Sequence, residues 1–306
     1  MIKVVLWDVD GTLLDFEKAE EAGIRGCFAH YNLGDCTDEM LEEYKVINRG
    51  YWQMMERGEI EKPVLLVKRF EDFLNAYGLD SSVAAAMNEL YQILLGETAV
   101  FTPHAWETIR ALKGKVLQCA VTNGTKVAQD GKLKNSKLDK EFDHIFISEV
   151  VGAEKPNVGF FEEVFRVIGQ YAPEEVLIVG DSLTSDIQGG VNAGIKTCWF
   201  NPKGMENTSK LNPDYVITDV AEVLEMVKSN FMSNQKESKE NKTAYMSLGM
   251  CLGISFGTAI GAAKDNLALY MCLGMSIGMG IGCLLDAKNR KIGNEEIPEE
   301  EAEKGE

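Results

Sequence analysis

No two cysteines in this chain have the C-x-x-C spacing of a zinc or redox site, although seven cysteines are present. Cys27, Cys36, Cys119 and Cys198 fall in stretches patterned as helix or strand, so reduced thiols are expected, with neither a zinc centre nor a disulfide framework. Positive charge is scarce as well: 31 Lys and Arg stand against 48 Asp and Glu, a formal net charge of -17. No basic stripe is available to displace counterions from a nucleic-acid polymer, which excludes that class of partner. Small phosphorylated metabolites remain admissible because they need only a locally positive pocket. Nor does a secretory leader precede the first strand, since Met1-Ile2-Lys3 runs straight into it; a cytoplasmic chain is expected.

What the chain does have is two pairs of carboxylates, each closing an apolar run. Lys3-Val4-Val5-Leu6-Trp7 is short, β-branched and unbroken by polar residues, the pattern of a parallel strand buried on both faces, and it ends in Asp8-Val9-Asp10-Gly11-Thr12. Val176-Leu177-Ile178-Val179 repeats the pattern and ends in Gly180-Asp181, followed by Asp186. In an open α/β sheet the site forms beyond the carboxyl ends of the strands, where both pairs then lie. Clustered carboxylate oxygens suit one hard cation. Read singly, Asp-Gly and Gly-Asp are also ordinary turn formers; the paired arrangement favours metal-assisted phosphoryl transfer. A third run, Val116 to Val121, ends in Thr122-Asn123-Gly124, where a hydroxyl and turn amides suit phosphate oxygens. Lys155, in Ala153-Glu154-Lys155-Pro156-Asn157, is expected just before a helix whose first turn holds the proline, placing a point charge for an oxyanion.

In this order, the aspartate pair, Thr122, Lys155 and Gly180-Asp181-x4-Asp186 resemble the four motifs of the haloacid dehalogenase superfamily over about residues 1–228. More narrowly, Val46 to Trp52, Val121 to Gly124 and Gly194 to Pro202 resemble noncanonical pyrimidine 5′-nucleotidases of that superfamily. The resemblance implies an α/β fold: a Rossmann-like parallel sheet core (1–15 and 101–228) with a helical cap (16–100) inserted after the first strand. It implies that Asp8 is the nucleophile that becomes an aspartyl phosphate, and that Asp10 protonates the leaving oxygen and later deprotonates water. Thr122 and Asn123 would bind phosphate, and Lys155 would offset its charge. Magnesium would be held by Asp8, the Asp10 carbonyl and Asp181, with Asp186 steadying the shell. Gly11 stands where the nucleotidases often carry an acidic residue, which keeps open a general sugar-phosphate or phosphoglycolate phosphatase. Phe16, Arg49, Tyr51 and Trp52 are candidates to contact a nucleobase from the cap, although aromatics there also serve as packing.

Residues 229–243 turn polar and lysine-rich without apolar periodicity, the pattern of a linker. Beyond them Tyr245-Met246-Ser247-Leu248-Gly249-Met250 recurs as Tyr270-Met271-Cys272-Leu273-Gly274-Met275. Gly249, Gly253, Gly257 and Gly261 recur every four residues, a stripe that permits close helix approach. Residues 244–263 and 267–285 are uncharged, and about twenty residues span a bilayer core. A C-terminal two-helix hairpin (244–285) is therefore expected, resembling a glycine-zipper membrane hairpin with both ends cytoplasmic; a soluble or self-associating hairpin is the alternative. Residues 286–306 read as an acidic, disordered tail. A scaffold built on a hydrolase relic, with the hairpin as its working part, is the reading opposed to a nucleotidase.

Overall fold

The computed structural model describes residues 1–169, 171–264 and 266–292, with side chains described outside 229–246 and 286–292. Two compact units emerge, residues 1–228 and 229–306.

In the first unit the short apolar runs pair as six parallel strands: β1 (Val4–Trp7), β2 (Leu117–Thr122), β3 (His144–Ile147), β4 (Val176–Gly180), β5 (Lys196–Phe200) and β6 (Tyr215–Ile217). Their order is β3-β2-β1-β4-β5-β6. β1 is central, with Trp7 opposite Ala120 of β2 and Val179 of β4. The alternation of strand side chains divides the core: Val5, Trp7, Ala120 and Val179 pack on one face, and Val4, Leu6, Val121 and Ile178 on the other. Both faces are thus apolar, which is why these strands show no polar alternation.

Four helices follow β1: α1 (Phe16–Tyr31), α2 (Asp38–Glu56), α3 (Lys62–Ala76) and α4 (Ala84–Glu97). Asp15 caps α1 by accepting from Lys18 N at 3.2 Å, and Thr37 caps α2 by accepting from Met40 N at 3.2 Å. They enclose a core of their own around Phe28, Tyr44, Phe70, Phe73 and Tyr91. The remaining helices of this unit are α5 (Ala105–Leu112), α6 (Lys126–Ser136), α7 (Ser148–Val151), α8 (Val158–Ile168) and α9 (Gln188–Ala193).

Two local expectations are corrected. Pro156 lies outside α8, because Asn157 takes the cap position and accepts from Gly159 N at 2.8 Å. The stretch 229–243 is no open linker: it lies within a continuous helix, α10 (Val223–Ala263). It has no glycine or proline to break the helix, so the chain stays helical there without an apolar stripe.

In the second unit α10 pairs with α11 (Leu267–Ile292). A Cβ added at Gly253 would stand 2.1 Å from the Gly274 carbonyl oxygen, and one at Gly278 2.0 Å from that of Gly249. Close backbone contact therefore requires glycine at these positions. Among the described residues one helix is long and apolar enough to cross a membrane, Leu267–Leu285, with mean hydropathy 1.8, and α10 contributes the apolar stretch Ser247–Ala263. The first expected span also takes in residues 244–246, whose side chains lie outside the described residues. α11 runs on to Ile292, into the stretch expected to be a disordered tail, and residues 293–306 lie outside the described residues.

Candidate active site

β1 and β4 end side by side, so the turns that follow them meet. Asp8, immediately after β1, is 7% exposed, and Asp186 lies in the π-helical turn Leu183–Ile187 that follows β4. One carboxylate oxygen from each of Asp8, Asp181 and Asp186 lies within 4.8 Å of the others. Gly11, at φ 89°, makes the juxtaposition possible: a Cβ there would come within 2.6 Å of the Asp181 carboxylate. This is a structural reason for glycine in the first motif. Thr12 stitches the turns together, its hydroxyl donating to Asp8 at 3.0 Å and accepting from Asp181 N at 3.1 Å. Trp199 Nε1 donates to the Asp181 carbonyl at 2.9 Å.

Lys155 enters from the opposite side, 1% exposed. Its ammonium donates to Asp8 Oδ1 at 2.8 Å, Asp186 Oδ1 at 2.6 Å and the Val121 carbonyl at 2.7 Å, using all three protons. Burial alone would lower its pKa, but the Asp186 and Asp8 charges outweigh that and raise it. Burial also pushes Asp8 up to about 7, with repulsion from Asp186 adding to it. Asp181 is raised well above its ordinary value by burial and then by the Asp8 and Asp186 charges. Three carboxylates thus share one lysine. The excess negative charge, the all-oxygen donor set and the spacing fit a hard divalent cation such as magnesium.

Thr122, 1% exposed, accepts from Gly124 N at 3.1 Å. The Asn123 side chain faces the Lys155 loop: it donates to the Lys155 carbonyl at 2.8 Å and to Ser185 Oγ at 3.2 Å, and accepts from Lys155 N at 2.8 Å. That engagement makes its side chain a brace for the lysine and leaves its backbone amide, one of the turn amides the sequence pointed to, for a phosphate oxygen. Asp10 lies at the rim and is held by α6, with Gln129 Nε2 donating to Oδ2 at 2.6 Å and the Lys132 ammonium paired with Oδ1.

The cap candidates separate. Phe16 is half-buried, and Lys132 Nζ lies 5.0 Å from its ring centroid, which ties it to the Asp10 corner. Arg49 is exposed on α2. The Tyr51 hydroxyl donates to Asp72, and Tyr51 and Trp52 pack on a small cluster of Met55, Leu65 and Leu66. Two further polar residues bridge the helices to the sheet unit. Glu56, at the end of α2, accepts from Thr184 Oγ1 at 2.6 Å, and buried Lys62 donates to Ser148 Oγ at 2.6 Å and pairs with Glu154 at 3.4 Å. Thr12, Gln129, Lys132 and Glu56 escaped the sequence reading. For α6 a signal existed: Gln129, Lys132, Leu133 and Ser136 recur at i, i+3, i+4 and i+7, marking a lysine on an inward face.

A family profile described as haloacid dehalogenase-like hydrolase matches residues 2–194. Among curated proteins, the chain is 36% identical over 221 residues to the HAD-hydrolase YfnB of Bacillus subtilis, covering 72% of this chain and 93% of that one. It is 32% identical over 231 residues to the pyrimidine 5′-nucleotidase PynA of Streptococcus pneumoniae, covering 75% and 97%. A crystal structure of YfnB bound to magnesium matches with a TM-score of 0.71 at 35% identity, covering 74% of this chain and 98% of that one.

Proposed function

The chain belongs to the haloacid dehalogenase-like hydrolases, and from that membership we propose that it is a magnesium-dependent phosphomonoesterase acting on nucleoside 5′-monophosphates, pyrimidine or noncanonical. The observation that carries the chemistry is Lys155 joining Asp8 to Asp186 beside Asp181. A carboxylate nucleophile attacking an anionic phosphate needs its charge offset on both sides. Lys155 supplies a fixed cation on one side, and Asp8, Asp181 and the Asp10 carbonyl would hold magnesium on the other, with Asp186 anchoring both.

Magnesium, when bound, screens the phosphate charge and orients one of its oxygens. Asp8 Oδ attacks phosphorus, the bond to the ester oxygen breaks, and an aspartyl phosphate forms on Asp8. Asp10 gives its proton to the departing alkoxide and then takes one from the water that hydrolyses the acyl phosphate. Thr122 and the main chain of the Thr122-Asn123-Gly124 turn bind phosphate oxygens. Residues 16–100 act as a lid that excludes water and selects the leaving group, with Phe16 as the cap aromatic nearest the acid/base corner.

The similarity to a pyrimidine 5′-nucleotidase supports the substrate class. Steady-state assays with magnesium across phosphorylated metabolites test it. Uridine- or thymidine-type 5′-monophosphates should show higher kcat/KM than phosphoglycolate or hexose phosphates. Equal or better efficiency on the small sugar phosphates moves the reading to a general phosphatase.

For the C-terminal helix pair we infer membrane association, with the hydrolase on the cytoplasmic side. Its support is the run Leu267–Leu285 and the exposed Leu252, Phe256, Leu273 and Ile277. Fractionation and crosslinking of the full chain decide it. Recovery in the membrane fraction supports it, a soluble oligomer substitutes self-association, and a soluble monomer removes both.

A further inference from the structure

The acid/base role given to Asp10 leaves its orientation to be explained, because Asp10 sits at the rim with its side chain 21% exposed. An aspartate there is free to rotate unless something grips it. α6 does so at both oxygens: Gln129 Nε2 donates to Oδ2 at 2.6 Å, and the Lys132 ammonium pairs with Oδ1. Both gripping side chains are hidden, Gln129 at 0% and Lys132 at 1% exposure. A buried lysine is retained where a partner requires it.

Two independent features show that the grip is built. Gly124 of the phosphate turn has no side chain where Gln129 passes: a Cβ there would lie 2.2 Å from Gln129 Nε2 and 2.9 Å from its Cδ. The glycine thereby opens a path from α6 across the turn to Asp10. The Gln129 Oε1 is buried with no hydrogen-bond partner in the structure. A side chain present only for packing has no use for an orphaned acceptor, and an apolar residue would fill the space without that penalty. Thr125 starts α6 by accepting from Ala128 N at 3.4 Å, and its hydroxyl donates to Gln92 of α4 at 2.7 Å, so the helix carrying the grip is fixed to the four-helix unit.

Resting on the acid/base reading of Asp10, we propose that Gln129 and Lys132 are its positioning residues: they hold the carboxyl group in the rotamer from which it serves the leaving oxygen and the hydrolytic water. Neither touches the phosphate. Their effect falls on turnover and not on substrate binding, and only while Asp10 is present.

The test is a double-mutant cycle on the full chain with magnesium and a nucleoside 5′-monophosphate. It uses Lys132→Met, Gln129→Met and Asp10→Asn, each alone, and each positioning variant combined with Asp10→Asn. Lys132→Met and Gln129→Met are each expected to lower kcat about 10-fold to 100-fold with KM within about threefold, below the roughly 10²–10⁴-fold contribution of a general acid–base group. In the Asp10→Asn background each should have almost no further effect, because residues acting as a unit are non-additive. Lys132→Arg, which keeps a cationic donor, should recover part of the loss. Independent, multiplicative losses in the double mutants overturn the inference, as does a loss confined to KM. If Lys132→Met fails to fold, the Gln129→Met cycle decides alone. An Asp10→Asn variant with normal turnover instead removes the acid/base reading, and a wild-type chain without turnover removes the hydrolase reading and this inference with it.

Discussion

In residues 1–228 four long cations are inside: Lys62, Arg69, Lys132 and Lys155 are 6%, 1%, 1% and 1% exposed, and each has an anion, amide, hydroxyl or carbonyl partner. In the C-terminal helix pair the long hydrocarbons are outside, Phe256 at 69% and Leu284 at 71%. The two regions solve opposite problems. A buried charge is tolerable only with partners in fixed geometry, so the first region is constrained residue by residue. An exposed hydrocarbon needs only an apolar surrounding, and the second region is constrained mainly at the glycines where its two backbones meet. A substitution in the first therefore changes chemistry, whereas one in the second changes what the chain sits in.

The sharpest way to break this contrast is at Asp8. Asp8→Asn removes the nucleophile, and phosphatase activity should fall at least about 10³-fold; a variant retaining a tenth of the wild-type rate would end the covalent mechanism.

Metal comes next. Saturating magnesium should raise the melting temperature of the wild-type chain, by linkage about 2.7 kcal/mol at a hundred times Kd, and chelation should remove both that gain and activity. Asp181→Asn should lose the thermal response. A magnesium shift of the same size in that variant would take the metal away from the carboxylate cluster.

A smaller effect is expected inside the helical unit. Burial raises Glu20 from 4.5 to about 7, opposed by a hydrogen bond from Asn48 and the charge of Arg69. The folded chain thus binds this proton more tightly than the unfolded one, and Glu20 subtracts stability as pH rises from about 4.5 to about 7. Glu20→Gln keeps an acceptor for Asn48 and should be about 1–3 kcal/mol more stable than wild type at pH 8 and nearly equal at pH 5. Urea unfolding at the two pH values checks this, and equal midpoints at pH 8 would show that Glu20 is not held against its charge.

The smallest effect on catalysis belongs to the tail. Gly253→Leu places side-chain atoms where the Gly274 carbonyl lies, and should loosen the helix pair while leaving kcat/KM within about twofold. Crosslinking and kinetics on the same preparation measure both, and a large kinetic loss would join the two regions that the contrast separates.

Much of the site was legible because its residues lie where strands end. Asp8, Thr122 and Asp181 stand at or next to the last residues of β1, β2 and β4, so an apolar run followed by a polar residue locates each. Lys155 and Asp186 were also visible, as a lysine ahead of an expected helix and as the second carboxylate after the β4 run, and the resemblance supplied their roles. The α6 grip was harder to read, because Asp10 and Lys132 meet only after the helix docks, 122 residues apart in the chain. The bracing of the Lys155 loop by the Asn123 side chain was likewise hidden, because those partners are set by tertiary packing. Residues 229–243 differ from expectation for another reason: amphipathic periodicity reports a buried face, and a stretch free of glycine and proline can be helical without one.

The order in which the sheet is assembled has a consequence for the newborn chain. β1 lies in the middle of the sheet yet precedes both neighbours: Val4 pairs with Leu117 on one side and Val176 on the other. During synthesis, at about 5–20 residues per second, the first strand waits several seconds for either partner. Asp8 meanwhile has neither Lys155 nor Asp181 beside it, so a growing chain is chemically silent until β4 and its acidic turn have emerged. The apolar Val4–Trp7 segment is also the strand with longest to wait unpaired.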